Sequence, residues 1–444
     1  MTKPTLAVVG AGWAGIAAAV RGTQAGFAVS LFEMASDLGG RARCIDVHGQ
    51  VFDNGQHILV GAYARCLDLM TTVGVACDKQ LIRLPLTLQY PDGAGLHLPA
   101  HAGRLGAVIA IAGFRGWPWS SRAAMLIAAT TWAMRGFRCP AHWTVDDLCW
   151  GLTEQVRREF IDPLCLSALN TAPTQASARV FLRVLQDTLS GPIGSSDLLI
   201  PSCGLQDLLA APAQQWLQAQ QVSVRTRHRV KQVERSGALW RVDAEDFDGV
   251  VLACSCVEAA RLTADIAPQW STRAFALQFE PLITVYLQAA GAALPRPMLA
   301  LRSDAESPAQ FAFDHGKISA RPGLIACVVS AAQAWVNSGT DQTAWAVKAQ
   351  MQLVMQQLGR PATLEVVATL AEKRATFSCI AGLMRPTAVV AHGLIVAGDY
   401  IEGPYPATLE GAVRSGENAI AQMSRLNVAL PSEPALRDAK MRWG

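Results

Sequence analysis

Gly10, Gly12 and Gly15 stand at the spacing G-x-G-x-x-G, and Glu33 follows at the end of the next apolar run. Residues of these types at this spacing can hold a dinucleotide. The first glycine permits a tight turn and the second lets backbone approach a pyrophosphate. The third lets a helix pack on a strand, with the helix N-terminal dipole facing the anion. A carboxylate at Glu33 can accept hydrogen bonds from both ribose hydroxyls of an adenosine. A second turn, Asp37-Leu38-Gly39-Gly40-Arg41-Ala42-Arg43, adds backbone N–H groups at Gly40 and an arginine fork at Arg41, suited to a second phosphate. A glycine C-cap before a basic strand is the structural alternative for that stretch. A third stretch, Phe52-Asp53-Asn54-Gly55-Gln56-His57, holds an imidazole that titrates near neutrality and could move a proton, or could simply serve its own turn as a hydrogen-bonding partner.

These residues need particular elements beneath them. Residues 5–9 suit a buried parallel strand, the Ala-rich residues 16–25 a helix, and residues 27–32 a second strand. Residues 222–233 alternate apolar and polar, and residues 239–242 do so after Gly237, which predicts half-exposed strands of a small antiparallel layer. Residues 249–253 read as a buried strand of the main sheet. Residues 281–288 and 324–330 read as strands of a second sheet, followed by an amphipathic helix over 343–358. A late buried strand ends in Gly398-Asp399, and a helix starts near Thr408 and Leu409. The intervening residues 81–200 read as mainly helical. In them, residues 105–114 and 123–134 are apolar and are separated by Arg115-Gly116-Trp117-Pro118-Trp119-Ser120. A Trp/Arg collar of this kind fits a surface that dips into a bilayer interface. Lining a large core or an apolar substrate tunnel fits as well, and both uses stay open. Thr144 reads as a helix N-cap, with Asp146 and Asp147 as capping acids rather than catalytic ones.

Composition sets outer limits. With 444 residues the chain is long enough for two or three domains, and 51% hydrophobic residues make it greasier than an ordinary soluble enzyme. A formal charge of +3 without a long basic run gives no footprint for nucleic acid. The eleven cysteines are scattered without zinc spacing, so no metal site is expected and a reduced thiol set is the simpler reading. No signal-peptide pattern opens the chain, and no apolar run approaches the roughly 20 residues of a membrane span. The expected location is cytoplasmic, with peripheral contact on the inner face of the membrane left open.

The pairing of Val8-Val9-Gly10-Ala11-Gly12-Trp13-Ala14-Gly15 with Leu38-Gly39-Gly40-Arg41-Ala42 resembles the FAD-binding amine oxidase and carotenoid desaturase superfamily. That resemblance implies an α/β fold: a Rossmann-like FAD-binding domain of the glutathione-reductase type, interleaved with an α+β substrate domain. The expected partition is 1–80, 201–275 and 385–430 for FAD, 81–200 and 276–384 for substrate, and a tail over 431–444. It implies that Gly10, Gly12, Ala14, Gly15, Glu33, Gly40 and Arg41 hold FAD, and that Asn54, Gly55, Gln56 and His57 run along the flavin face. By the same resemblance the Val230 backbone meets the adenine, Gly398 and Asp399 hold the ribityl and phosphate region, and Thr408 and Leu409 face the flavin pyrimidine. Pro201-Ser202-Cys203-Gly204-Leu205 departs from the family pattern, having Ser-Cys where a glycine pair is common.

Within the superfamily the resemblance is nearest to the hydroxysqualene dehydroxylases, carried by Asp53-Asn54-Gly55-Gln56-His57, by Gly61-Ala62-Tyr63, and by Gly398-Asp399 with Pro406-Ala407-Thr408-Leu409-Glu410-Gly411-Ala412. It implies a long apolar isoprenoid substrate and replacement of its hydroxyl by hydrogen, with His57 as first candidate for the proton source and Tyr405 as a wall or donor beside the ring. Carotenoid or terpenoid desaturation, amine oxidation and flavin-free prenyl-lipid escort are the alternatives. Only five tyrosines make a paired aromatic cage for an amine less favoured. The electron donor to the flavin is not legible in the sequence.

Overall fold

A computed structural model describes residues 3–99 and 104–428; the expected C-terminal tail, 431–444, lies outside them. The main sheet has six strands in the order Ser223–Arg225, Ala28–Phe32, Thr5–Val9, Gly249–Leu252, Leu394–Val396, Val389–Ala391. The first five run parallel and the last is antiparallel. Thr5–Val9 and Gly249–Leu252 are almost wholly buried apolar runs, as strands covered on both faces must be. The helix Trp13–Gln24 covers one face and packs along the C-terminal helix Leu409–Val428. The two helices approach so closely that a β-carbon on Gly416 would stand 2.2 Å from the Ala14 carbonyl oxygen.

The alternation over 222–233 has a different cause from the one expected. Ser223–Arg225 does not join an antiparallel layer; it pairs parallel with Ala28–Phe32 as an edge strand of the main sheet. An edge strand is half-exposed whatever its direction, so alternation there reports position in the sheet. The antiparallel layer is formed by Val233–Ser236, Leu239–Val242 and Glu245–Phe247.

The second sheet is antiparallel throughout, ordered Met298–Ala300, Phe311–Asp314, Leu324–Val329, Phe279–Gln288, Glu365–Phe377. Ile283, Val285 and Leu287 pack into the core with Val347 and Met351 of the helix Thr340–Gln357. Period-two geometry sends Leu282, Thr284 and Tyr286 to the opposite face, and Tyr286 joins the larger core shared with the main sheet. Helices of the stretch after residue 100 cover that core. Their insertion begins and ends side by side, because Leu81–Leu84 pairs with Leu198–Pro201. Thr144 caps its short helix as expected, and Asp147 completes a capping box by accepting the Thr144 N–H at 2.9 Å.

Candidate active site

Gly10 leaves its strand at φ +101°, a conformation that side chains oppose, and a β-carbon there would stand 2.7 Å from the Ala253 carbonyl oxygen. On Gly15 a β-carbon would come within 1.8 Å of the Gly10 carbonyl oxygen. Gly12 is the N-cap of Trp13–Gln24 and supplies no side-chain acceptor, so the first-turn N–H groups stay available to an anion. Ala14 lies buried in that turn. Glu33 is buried, accepting from the Ala11 N–H at 2.7 Å through one oxygen and from the Ala35 N–H at 2.8 Å through the other. The carboxylate therefore braces the glycine turn and keeps lone pairs for a ribose. Val230 lines a crevice beside Gly10, Phe32 and His228, and its carbonyl accepts from Arg261 at 2.8 Å.

The second glycine turn packs on the first. The Gly39 N–H donates to the Ala11 carbonyl at 2.8 Å, and a β-carbon on Gly40 would stand 3.0 Å from the Gly12 α-carbon. Arg41 has protein partners. Its guanidinium donates to Asp399 Oδ1 at 2.7 Å and to the Ala375 carbonyl at 2.8 Å, joining signatures 358 residues apart. The Asp399 charge holds the guanidinium pKa above its ordinary value. The Gly398 N–H donates to Ser415 Oγ at 3.0 Å, fixing the strand end on the C-terminal helix. Thr408 caps that helix by accepting from the Gly411 N–H at 3.0 Å, which places Leu409 as its first residue. Glu410, fully buried, accepts from the Cys66 N–H at 2.9 Å and from Arg414 at 2.7 Å. Nothing local in the sequence marks Glu410 as this anchor.

The stretch expected along the flavin face comes next in the chain. Asn54 Nδ2 donates to the Arg41 carbonyl and to Glu372, both at 3.0 Å. Gly55 turns at φ +89° with Leu282 of the second sheet against it. His57 Nδ1 lies 3.1 Å from the Gly55 carbonyl, and burial pulls the imidazole pKa below its ordinary value. Tyr286 donates its hydroxyl to the Asp53 carbonyl at 2.9 Å and so ties the second sheet to this turn. Between Leu282 and Tyr286, on the same face, Thr284 is 0% exposed and its hydroxyl has no partner among the described residues. Sequence reasoning missed Thr284, whose significance exists only once the strand faces are assigned. Guanidinium groups of Arg183 and Arg414 approach the Tyr405 ring at 5.5 and 4.8 Å, and Tyr405 lines a crevice with Asp399 and Gly411, its carbonyl accepting from the Thr408 hydroxyl at 3.0 Å.

This arrangement fits a flavin dinucleotide. Backbone that β-carbons would fill lies at the phosphate end, and two buried polar atoms have no partner among the described residues, Trp13 Nε1 in the first turn of the helix after the first glycine turn and Gln56 Oε1 in the Asn54–His57 stretch. The profile of the flavin-containing amine oxidoreductases matches residues 13–423. The chain belongs to that family. It is an FAD-dependent oxidoreductase, and the FAD-binding α/β fold expected from the glycine turns is the fold found. The chain is similar to the hydroxysqualene dehydroxylase of Rhodopseudomonas palustris, 28% identical over 438 residues that cover 94% of this chain and 97% of that one. It is also similar to the hydroxysqualene dehydroxylase of Zymomonas mobilis, 26% identical over 93% of this chain and 97% of the other. In fold it is similar to cyclohexylamine oxidase from Brevibacterium oxydans, with a TM-score of 0.68 at 15% identity over 96% of this chain and 99% of that one.

Proposed function

We propose that the protein reductively removes the hydroxyl of hydroxysqualene, giving squalene and water, as a step of squalene and hopanoid biosynthesis. The expected reaction face carries the reading: a half-buried imidazole and a buried, unpartnered hydroxyl set in an apolar wall, in a chain similar over nearly its whole length to hydroxysqualene dehydroxylases. The carbon–oxygen bond of an allylic alcohol breaks when its oxygen gains a proton, and a carbon–hydrogen bond replaces it. When bound and reduced, the flavin supplies the hydride.

The protein's own residues have three tasks. In this reading Thr284 Oγ holds the substrate oxygen; its hydroxyl has no partner among the described residues. The Gly55 carbonyl fixes the His57 ring at Nδ1, leaving Nε2 for proton exchange with that oxygen. Leu282 and Tyr286 exclude water and nucleophiles that would trap the allylic cation. Because burial keeps His57 neutral at pH 7, delivery of its proton speeds up as pH falls toward its lowered pKa and levels off below it. His57→Ala removes that rise.

The test is a product assay. Protein reconstituted with FAD is incubated with hydroxysqualene and a chemical reductant under argon, and the lipid is extracted. Squalene formed in proportion to protein supports the proposal. Unchanged hydroxysqualene from fully loaded holoenzyme removes it.

A further inference from the structure

We propose that the helix Trp119–Met134 and the turn before it form a docking surface for an anionic lipid bilayer. The exposed positions of this helix repeat at helical spacing: Trp119 is 77% exposed, Ile127 67% and Met134 77%, with Ala123 and Thr130 between them. No charged side chain interrupts that strip over four turns, a length of about 24 Å. The opposite face, with Met125 and Trp132, is buried in the protein core. Val108 and Ile109 of the preceding helix, Arg104–Ala112, are exposed too, and the two helices pack together. An apolar helix face of this extent, turned outward on a chain already rich in buried apolar surface, has no role in holding the fold.

Charge identifies what covers it. Residues 93–145 contain five arginines and no aspartate or glutamate. The whole chain carries +3, so the remainder carries −2. Arg115 and Arg122 stand at the start of the strip and Arg135 and Arg138 just past its end, and none of the four has a carboxylate partner among the described residues. Arg122 instead lies over the exposed Trp119 ring at 5.0 Å. Arginines at both ends of an uncharged apolar strip, with an indole at the boundary, match a helix lying in the plane of a negatively charged interface. Its guanidinium groups then reach the headgroups and its side chains the acyl boundary. A second copy of this chain would meet the same positive charge.

The hairpin is anchored rather than loosely attached. Trp117 stacks on Phe114 at 3.7 Å and donates to the buried Glu159 at 2.9 Å, while Glu159 also accepts from Arg302 at 3.0 Å beside the second sheet. The surface is thus tied through Glu159 to the domain that carries Thr284, which suits uptake of an apolar substrate directly from lipid.

The test is sedimentation of the FAD-loaded protein with sucrose-filled vesicles. Vesicles of phosphatidylcholine are compared with vesicles in which about one third is phosphatidylglycerol. Expected are strong association with the anionic vesicles, weak association with the neutral ones, and release by salt. The pair Ile127→Asp with Met134→Asp, and separately the pair Arg122→Glu with Arg135→Glu, should each lower partitioning at least about tenfold at unchanged flavin content and melting temperature. Wild-type protein left in the supernatant, or both variants sedimenting as the wild type does, overturns the proposal. So does a dimer that Ile127→Asp with Met134→Asp dissociates without any vesicle effect, since the strip would then serve a second copy. The assay reads no catalysis, so its failure and the failure of the dehydroxylation reading are separate results.

Discussion

The cofactor cradle and the reaction face lie next to each other yet are specified by different parts of the chain. In the cradle the backbone is the working part: Gly10, Gly15 and Gly40 are required because carbonyls and α-carbons occupy the space a β-carbon would need. At the proposed reaction face the parts assigned a role are side chains, His57, Thr284, Leu282 and Tyr286, delivered by a turn and by one strand of the second sheet. A backbone-built site holds one class of ligand firmly and tolerates few substitutions. A wall of side chains can change substrate without disturbing it. The difference explains how one FAD-binding scaffold serves many reactions.

Substitutions can break that separation, and the largest effect belongs to the cradle. Gly15→Ala drives a β-carbon into the Gly10 carbonyl, so the turn must open and FAD affinity should fall at least about a hundredfold. Flavin absorbance per purified chain reads this, and a fully yellow variant would show that the cradle is not rigid.

Next is a pH effect on the second sheet. His315 is buried with its ring 5.9 Å from that of Tyr286, and desolvation, with Arg321 adding to it, lowers its pKa to about 4. The unfolded chain binds the proton at about pH 6.5. Stability should therefore be untouched above that value, fall as pH drops from about 6.5 to about 4, and lose about 3 kcal/mol to this group in all. His315→Asn should flatten that part of the denaturation profile. An unchanged slope would mean that the imidazole is protonated where it lies.

A smaller effect separates the two regions cleanly. Thr284→Val keeps shape and burial but removes one hydrogen bond to substrate, worth about 1 kcal/mol. Flavin content should be unchanged, while single-turnover reoxidation by hydroxysqualene slows about fivefold. Equal slowing of FAD uptake would place Thr284 in the cradle instead. The smallest effect is expected at Gly26, which also has positive φ but has no atom within 4 Å of the place a β-carbon would take. Gly26→Ala should cost about 1 kcal/mol in chemical denaturation with no change in flavin content. Loss of flavin there would mean that positive φ alone, not close approach, governs the cradle glycines.

The same contrast decides what can be read from the sequence. The glycine turns are legible because their requirements are local and spaced along one short segment. The Gly398-Asp399 strand end and the Thr408 cap are legible for the same reason. What no spacing can show is that Arg41 turns to Asp399, or that Tyr286 reaches the Asp53–His57 turn. Those contacts depend on sheet register between segments hundreds of residues apart. Residues 222–233 mislead for a related reason, since alternation reports exposure and an edge strand of a parallel sheet is exposed too.

The most direct test of dehydroxylation is an anaerobic titration followed by flavin spectrum. The holoenzyme is photoreduced, hydroxysqualene is added, and flavin reoxidation is compared with the squalene extracted. Dehydroxylation predicts reoxidation with one squalene formed per flavin, and no bleaching of the oxidised enzyme by squalene. Reduced flavin indifferent to hydroxysqualene, together with bleaching of the oxidised enzyme by squalene or a polyene, would contradict it and mark the protein as a desaturase.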